Sequence, residues 1–262
     1  MKKALYFILI FEIGLFFCIF VMFDKISPWP ESTSVLNMTS LRKKSSELLN
    51  TLEVKDGQEI SIESEEFEVS DEVKLPKEVL IDVPFTVQAP FGEWDEKAEE
   101  SCEEASLLMI HHFLEKTLLT PSIAQKELDE LIDFQIKKYG DYKHSNASQI
   151  AKLAEDFYGY KGEVIYDFSI DDLKEELAKG NPAIIPAAGQ LLGNPYFTPP
   201  GPVYHNLVLR GYNKTQFITN DPGTKRGEGY KYSYDVLYSA IHDWEGSKQT
   251  ITSGRRAMVI IK

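Results

Sequence analysis

Cys102 stands at the head of an apolar run, Ala105-Ser106-Leu107-Leu108-Met109-Ile110, and the only other cysteine, Cys18, lies in an apolar N-terminal stretch. A thiol becomes a useful nucleophile when its thiolate is stabilised, and a helix N-terminus and an imidazolium partner both do that. The position of Cys102 offers the first effect. For the second the chain carries five histidines. His111 and His112 follow on the same run, which as a helix puts them about 13 to 15 Å along its axis. They cannot reach the sulfur and read as surface or helix-packing residues. His144 and His242 fall in a polar loop and near a helix end, where exposure is expected. His205 heads a strong strand after a long loop and is the best base.

A base of this kind needs an acceptor that orients its second nitrogen. Asp221, on the turn after the neighbouring strand, is within reach of His205; a plain Asx-Pro turn would also explain Asp221-Pro222-Gly223. Gln88 precedes Cys102 by fourteen residues and offers an amide to an oxyanion, beside the Cys102 backbone N–H. Taken singly, each has a bland reading, and an isolated cysteine is as well explained as a buried small hydrophobe. Their joint order, Gln-Cys-His-Asp, points to acyl transfer.

These residues need elements to hold them. Residues 102–119 show a helical apolar period at Ala105, Leu108, Met109 and His112-Phe113, and residues 123–139 repeat it through Leu128, Leu131, Ile132 and Ile136. A third helix is predicted over 146–158, stopped by Gly159. Strands then take over: 162–166, then 182–186 after a short helix that Ser169 caps and Gly180 ends, and a hairpin of 205–212 with 216–219. A helix over 234–244 and a last strand over 256–261 close the chain. Helices first and an antiparallel sheet afterwards is an α+β layout. Residues 189–202 form a long Gly-, Pro- and Asn-rich loop, and loops of this length in a compact domain are usually functional. Its Tyr196 and Phe197, with Trp94, are the candidate substrate-contacting side chains.

The sequence ahead of the domain has a different character. Lys2 and Lys3 precede an apolar run over 4–23, broken only by Glu12. About twenty such residues span the hydrocarbon core as a helix. No small-residue cleavage site ends the run, so a single transmembrane signal anchor over 1–25 is expected, with the chain after Asp24 outside the cytoplasm. Residues 26–80 read as an acidic linker; within it 59–72 hold seven acidic and no basic residues, and such a stretch favours an extended, solvated chain. The net charge of −13 argues against a nucleic-acid partner. No Cys/His spacing matches a metal site, no phosphate-cradling glycine loop is present, and no cofactor is expected.

Val83-Pro84-Phe85-Thr86-Val87-Gln88-Ala89-Pro90, Trp94-Asp95, Cys102-Glu103-Glu104-Ala105-Ser106, Tyr204-His205-Asn206 and Asn220-Asp221-Pro222 together resemble the peptidase C-thirty-nine-like domains. These are relatives of the double-glycine leader peptidases within the papain-like fold. The resemblance covers residues 81–262 and implies Cys102 as nucleophile, His205 as base, Asp221 as orienter and Gln88 in the oxyanion hole. It departs at Glu103-Glu104, where many relatives have Gly-Pro; two carboxylates beside a thiolate oppose its ionisation, although they suit a helix N-terminus. The implied function is a membrane-anchored, extracytoplasmic thiol hydrolase acting on a peptide or protein substrate. The alternatives are an inactive peptidase-like binding module, which a thiol titrating at or above its free value would favour, and a cell-wall amidopeptidase.

Overall fold

The structure, a computed structural model, describes residues 75–262. The expected anchor over 1–25 and most of the expected acidic linker lie outside the described residues. Among those that are described, no helix is long and apolar enough to cross a membrane.

The chain first lays β1 (Val79–Leu80) along what becomes the central strand, then forms a one-turn helix, α1 (Glu96–Glu99), capped by the Asp95 side chain on the Ala98 amide. Helix α2 (Cys102–Glu115) follows, ending where Lys116 turns left-handed at φ 55°. It stops short of the expected residue 119 because the Lys116 amide closes on the His112 and Phe113 carbonyls. Residues 101–110 are all buried, because α2 lies between the sheet and α3 (Pro121–Tyr139). A helix apolar on several sides belongs in such a place. Thr120 caps α3 with Pro121 in its first turn, so the helix starts two residues before the expected 123.

Helix α4 (Ala147–Leu153) opens with a capping box between Asn146 and Gln149, widens into a π turn (Ala154–Tyr158) and stops at Gly159. Strand β2 (Gly162–Tyr166), helix α5 (Ile170–Ala178, capped by Ser169) and the fully buried β3 (Ala183–Ala188) come next. The loop after β3 begins with a 3-10 turn (Gly189–Leu192) and leads to β4 (Tyr204–Tyr212), buried at every position. Strands β5 (Gln216–Asn220) and β6 (Tyr230–Ser233), helix α6 (Tyr234–Ala240), a 3-10 segment (Lys248–Ser253) and β7 (Ala257–Ile261) complete the domain. Helix α6 ends before the expected Trp244 because Ile241 turns extended and bridges to Ala187.

The sheet order is β2-β7-β3-β4-β5-β6, with β1 also on β4, and every pairing is antiparallel. The α+β expectation holds. Its consequence for the site is positional: α2 packs across β4, so the head of the helix meets the start of the strand.

Candidate active site

Cys102 is the first residue of α2, and its amide is one of the donors a helix leaves without an intrahelical acceptor. His205 is the second residue of β4, paired with Ala187 on β3. Asp221 follows directly on β5. Cys102 and His205 line one cleft of about 600 Å³, together with Gln88, Trp94, Tyr196 and Phe197. The structure thus gathers six of the seven sequence-selected residues around one opening, and the seventh, Asp221, stands behind His205.

The His205–Asp221 half is fully satisfied. His205 Nε2 lies 2.8 Å from Asp221 Oδ1, and the Gly223 amide donates to the same oxygen at 3.0 Å. The other oxygen accepts from the Tyr232 hydroxyl at 2.7 Å and the Asn194 amide at 3.1 Å. Burial by itself would raise the Asp221 pKa, but the charge and hydrogen bond of His205, with the Tyr232 and Gly223 donors, hold it below the usual value. An ionised Asp221 can only accept, so the proton of the pair sits on Nε2 and Nδ1 carries the lone pair of a base. The Phe197 ring stands edge-on to the imidazole, 5.3 Å between centroids. Gly223 permits this closeness: a Cβ there would lie 2.9 Å from His205 Cε1 and equally near Phe197 Cε1.

The Cys102 half is different. Its Sγ is 3.1 Å from Glu103 Oε2. Burial pushes the thiol well above its ordinary pKa, the Glu103 charge and hydrogen bond push the same way, and the Asn206 backbone amide pulls back. Glu103 and Glu104 are themselves buried, 1% and 0% exposed. Burial raises Glu103 well above the carboxylate range, with the Glu104 charge adding to it. Glu104 rises to about 7 through burial, offset by the Gln135 amide that donates to it. Glu103 Oε1, Glu104 Oε2 and both side-chain polar atoms of Asn206 lack a hydrogen-bond partner.

Gln88 is placed at the cleft, but its amide is engaged elsewhere. Nε2 donates to the Ala98 carbonyl at 2.7 Å and the Glu99 carbonyl at 3.1 Å. Carbonyls can only accept, so the amide orientation is fixed, and Oε1 has no partner. Service to an oxyanion requires releasing the longer bond.

Trp94 and Tyr196 are exposed on the cleft rim, and Arg226 lies over the Tyr196 ring at 4.7 Å. His144, expected in solvent, also lines the cleft: its Nδ1 is 3.2 Å from Glu100 Oε2 and its ring leans on Trp244 at 4.6 Å. Tyr232 and Asn194 were not legible as functional, since β6 is four residues long and Asn194 reads as ordinary loop composition. No metal spacing was visible either, yet His111, His112 and Glu127 form a group able to hold an ion; it lies on α2 and α3, away from the cleft.

An α+β domain with a cysteine at a helix head and a His–Asp pair on adjoining strands, all about one cleft, is the layout of a cysteine-peptidase-like protein. The model of the Peptidase_C39 like family matches residues 80–252, and the chain belongs to that family. No curated protein sequence matches it. Among solved structures the chain is similar to a C39-like peptidase from Bacillus anthracis, at 18% identity and TM-score 0.48, covering 71% of this chain and 98% of that one. It is also similar to a double glycine motif protease from an AMS/PCAT transporter in complex with its leader peptide, at 18% identity and TM-score 0.41, covering 70% and 94%. The peptidase domain of Streptococcus ComA is similar at 14% identity and TM-score 0.34, covering 64% and 93%.

Proposed function

We propose that the chain is a cysteine peptidase, anchored by residues 4–23 with its domain outside the cytoplasm, that cleaves peptide bonds through an acyl-enzyme on Cys102. The observation that carries this reading is that Cys102 and His205 line the same cleft, with Asp221 orienting His205 from behind. Sγ attacks the peptide carbonyl carbon while His205 takes the thiol proton. The C–N bond then breaks as the imidazolium returns that proton to the leaving amine. Water, deprotonated by His205, attacks the thioester and releases the acid and the thiol. The Cys102 amide at the head of α2 is one donor for the oxyanion, and Gln88 is the second if it gives up Glu99.

The raised thiol pKa makes this a general-base route: the proton leaves as substrate arrives, with no ion pair formed beforehand. Cys102→Ala should abolish both peptide cleavage and labelling by an active-site thiol reagent. Cleavage that persists in that variant overturns the assignment.

The same raised pKa favours a second reading, a peptide-binding module that keeps the fold without turnover. The pH profile of alkylation separates the two. A rate that rises only with free-thiol ionisation, and is unchanged in His205→Ala, supports the module; a rate that His205→Ala lowers near neutral pH supports the enzyme.

A further inference from the structure

At the far end of α2 from Cys102, His111 and His112 meet Glu127 of α3. One nitrogen of each ring and one carboxylate oxygen lie within 4.8 Å of one another. The two rings are set by their other nitrogens. His112 Nδ1 is bonded to the Thr117 hydroxyl at 2.7 Å, which turns Nε2 to Glu127 Oε2 at 3.0 Å. His111 Nδ1 is bonded to the Tyr160 hydroxyl at 2.9 Å, and that hydroxyl donates to Glu115 at 2.6 Å. The Tyr158 ring stacks on His111 at 4.0 Å and fixes its plane. Nδ1 of each histidine is therefore occupied, and each has Nε2 to offer.

We infer that His111, His112 and Glu127 form a binding site for a divalent transition-metal ion of the zinc class, tying the C-terminal half of α2 to α3. Two imidazoles and one carboxylate are a recurring zinc ligand set, with water in the fourth position. Tetrahedral ligands at ~2.1 Å from the ion stand roughly 3.4 Å apart, against 3.0 Å between His112 Nε2 and Glu127 Oε2 and no more than 4.8 Å within the group, so small side-chain shifts would close it round an ion. The Glu115–Tyr160–His111 and Thr117–His112 bonds are the outer partners that fix ring orientation in such sites. Cys102 lies nine residues away on the helix, about 13 Å along its axis, so the ion would stand apart from the cleft.

The test uses the full-length chain with Cys18→Ser and Cys102→Ala, so that no thiol can bind metal. The metal-stripped protein is titrated with Co2+ and the visible absorption of tetrahedral cobalt recorded. One equivalent should produce the band, Zn2+ should displace it, and Zn2+ should raise Tm. His111→Gln and Glu127→Gln should each abolish the band while the metal-free far-ultraviolet circular dichroism stays unchanged. Thr117→Val should weaken affinity by roughly 10- to 100-fold. No band with one equivalent, or a band equally strong in His111→Gln and Glu127→Gln, overturns the site. If either variant loses its fold, Thr117→Val decides: unchanged affinity there counts against the proposal.

Discussion

On one side of the cleft Asp221 receives four donors and gives His205 one orientation; on the other, Cys102 touches a buried acid whose second oxygen has no partner. Both carboxylates are buried, so desolvation acts on both in the same direction, and what differs is the compensation. Asp221 has His205 and three further donors, enough to outweigh burial. Glu103 has a thiol and another acid for neighbours, so burial and the Glu104 charge raise its pKa well above the carboxylate range. The objection raised by two carboxylates next to a nucleophile therefore stands: burial first, then the Glu103 charge and the bond the thiol donates to Glu103 Oε2, oppose ionisation of Cys102.

The largest effect should come from removing the satisfied side. Asp221→Asn replaces an acceptor that holds Nε2–H with an amide facing three donors, and turnover should fall by about 10³- to 10⁴-fold through loss of the correct tautomer. A kcat within tenfold of the parent would mean that Asp221 is a turn residue.

The next tests the unsatisfied side through stability. Glu104 has a folded pKa of about 7 against an ordinary 4.5, so the folded state holds its proton more tightly. Stability is fully present below about pH 4.5 and is lost as pH rises through 7. Glu104→Gln keeps the bond from Gln135 without the charge. Urea unfolding at pH 8 should show it more stable than the parent, by on the order of 3 kcal/mol, with the difference gone at pH 4. Equal stability at pH 8 would dissolve the contrast between the two walls.

Tyr232→Phe should cost about 1 to 3 kcal/mol by taking one donor from a buried charge. The Asp221 pKa is depressed, so this loss is present above the ordinary carboxylate range and fades as pH falls through the folded value. A pH-independent loss would assign the effect to packing. The smallest change is kinetic. Glu103→Gln removes a carboxylate from the sulfur, and alkylation of Cys102 at pH 7 should quicken by roughly tenfold for each unit by which the thiol pKa falls. An unchanged rate would show that burial alone sets that pKa.

Periodicity and punctuation made much of this legible. Gly159 and Ser169 act where their types require, and strand 162–166 is found as expected, because caps and short β-rich runs depend on neighbours in sequence. The His205–Asp221 pair was legible for a related reason: one hairpin joins the two residues, so strand pairing alone brings them together. The depth at which Glu103 and Glu104 sit was not. First-turn acids look the same whether the helix faces solvent or a sheet, and only the packing of α2 between β4 and α3 decides. The same holds for His111, His112 and Glu127, which are joined by contact between two helices. Residues 96–99 and 230–233 were missed because a single turn and a four-residue edge strand carry too little pattern.

The stretch from β1 to Gln88 has a mechanical consequence. Its bonds run in sequence: Val79 and Leu80 pair with β4, Ile81 exchanges bonds with Arg210, Asn220 donates to the Val83 and Pro84 carbonyls, and the Gln88 backbone N–H donates to the Pro222 carbonyl beside Asp221. Tension applied where the chain enters the domain would load these bonds one after another, and the last of them is fastened to the turn that orients the base. A pull on the chain ahead of the domain and a change in the alignment of His205 would then be two readings of the same force.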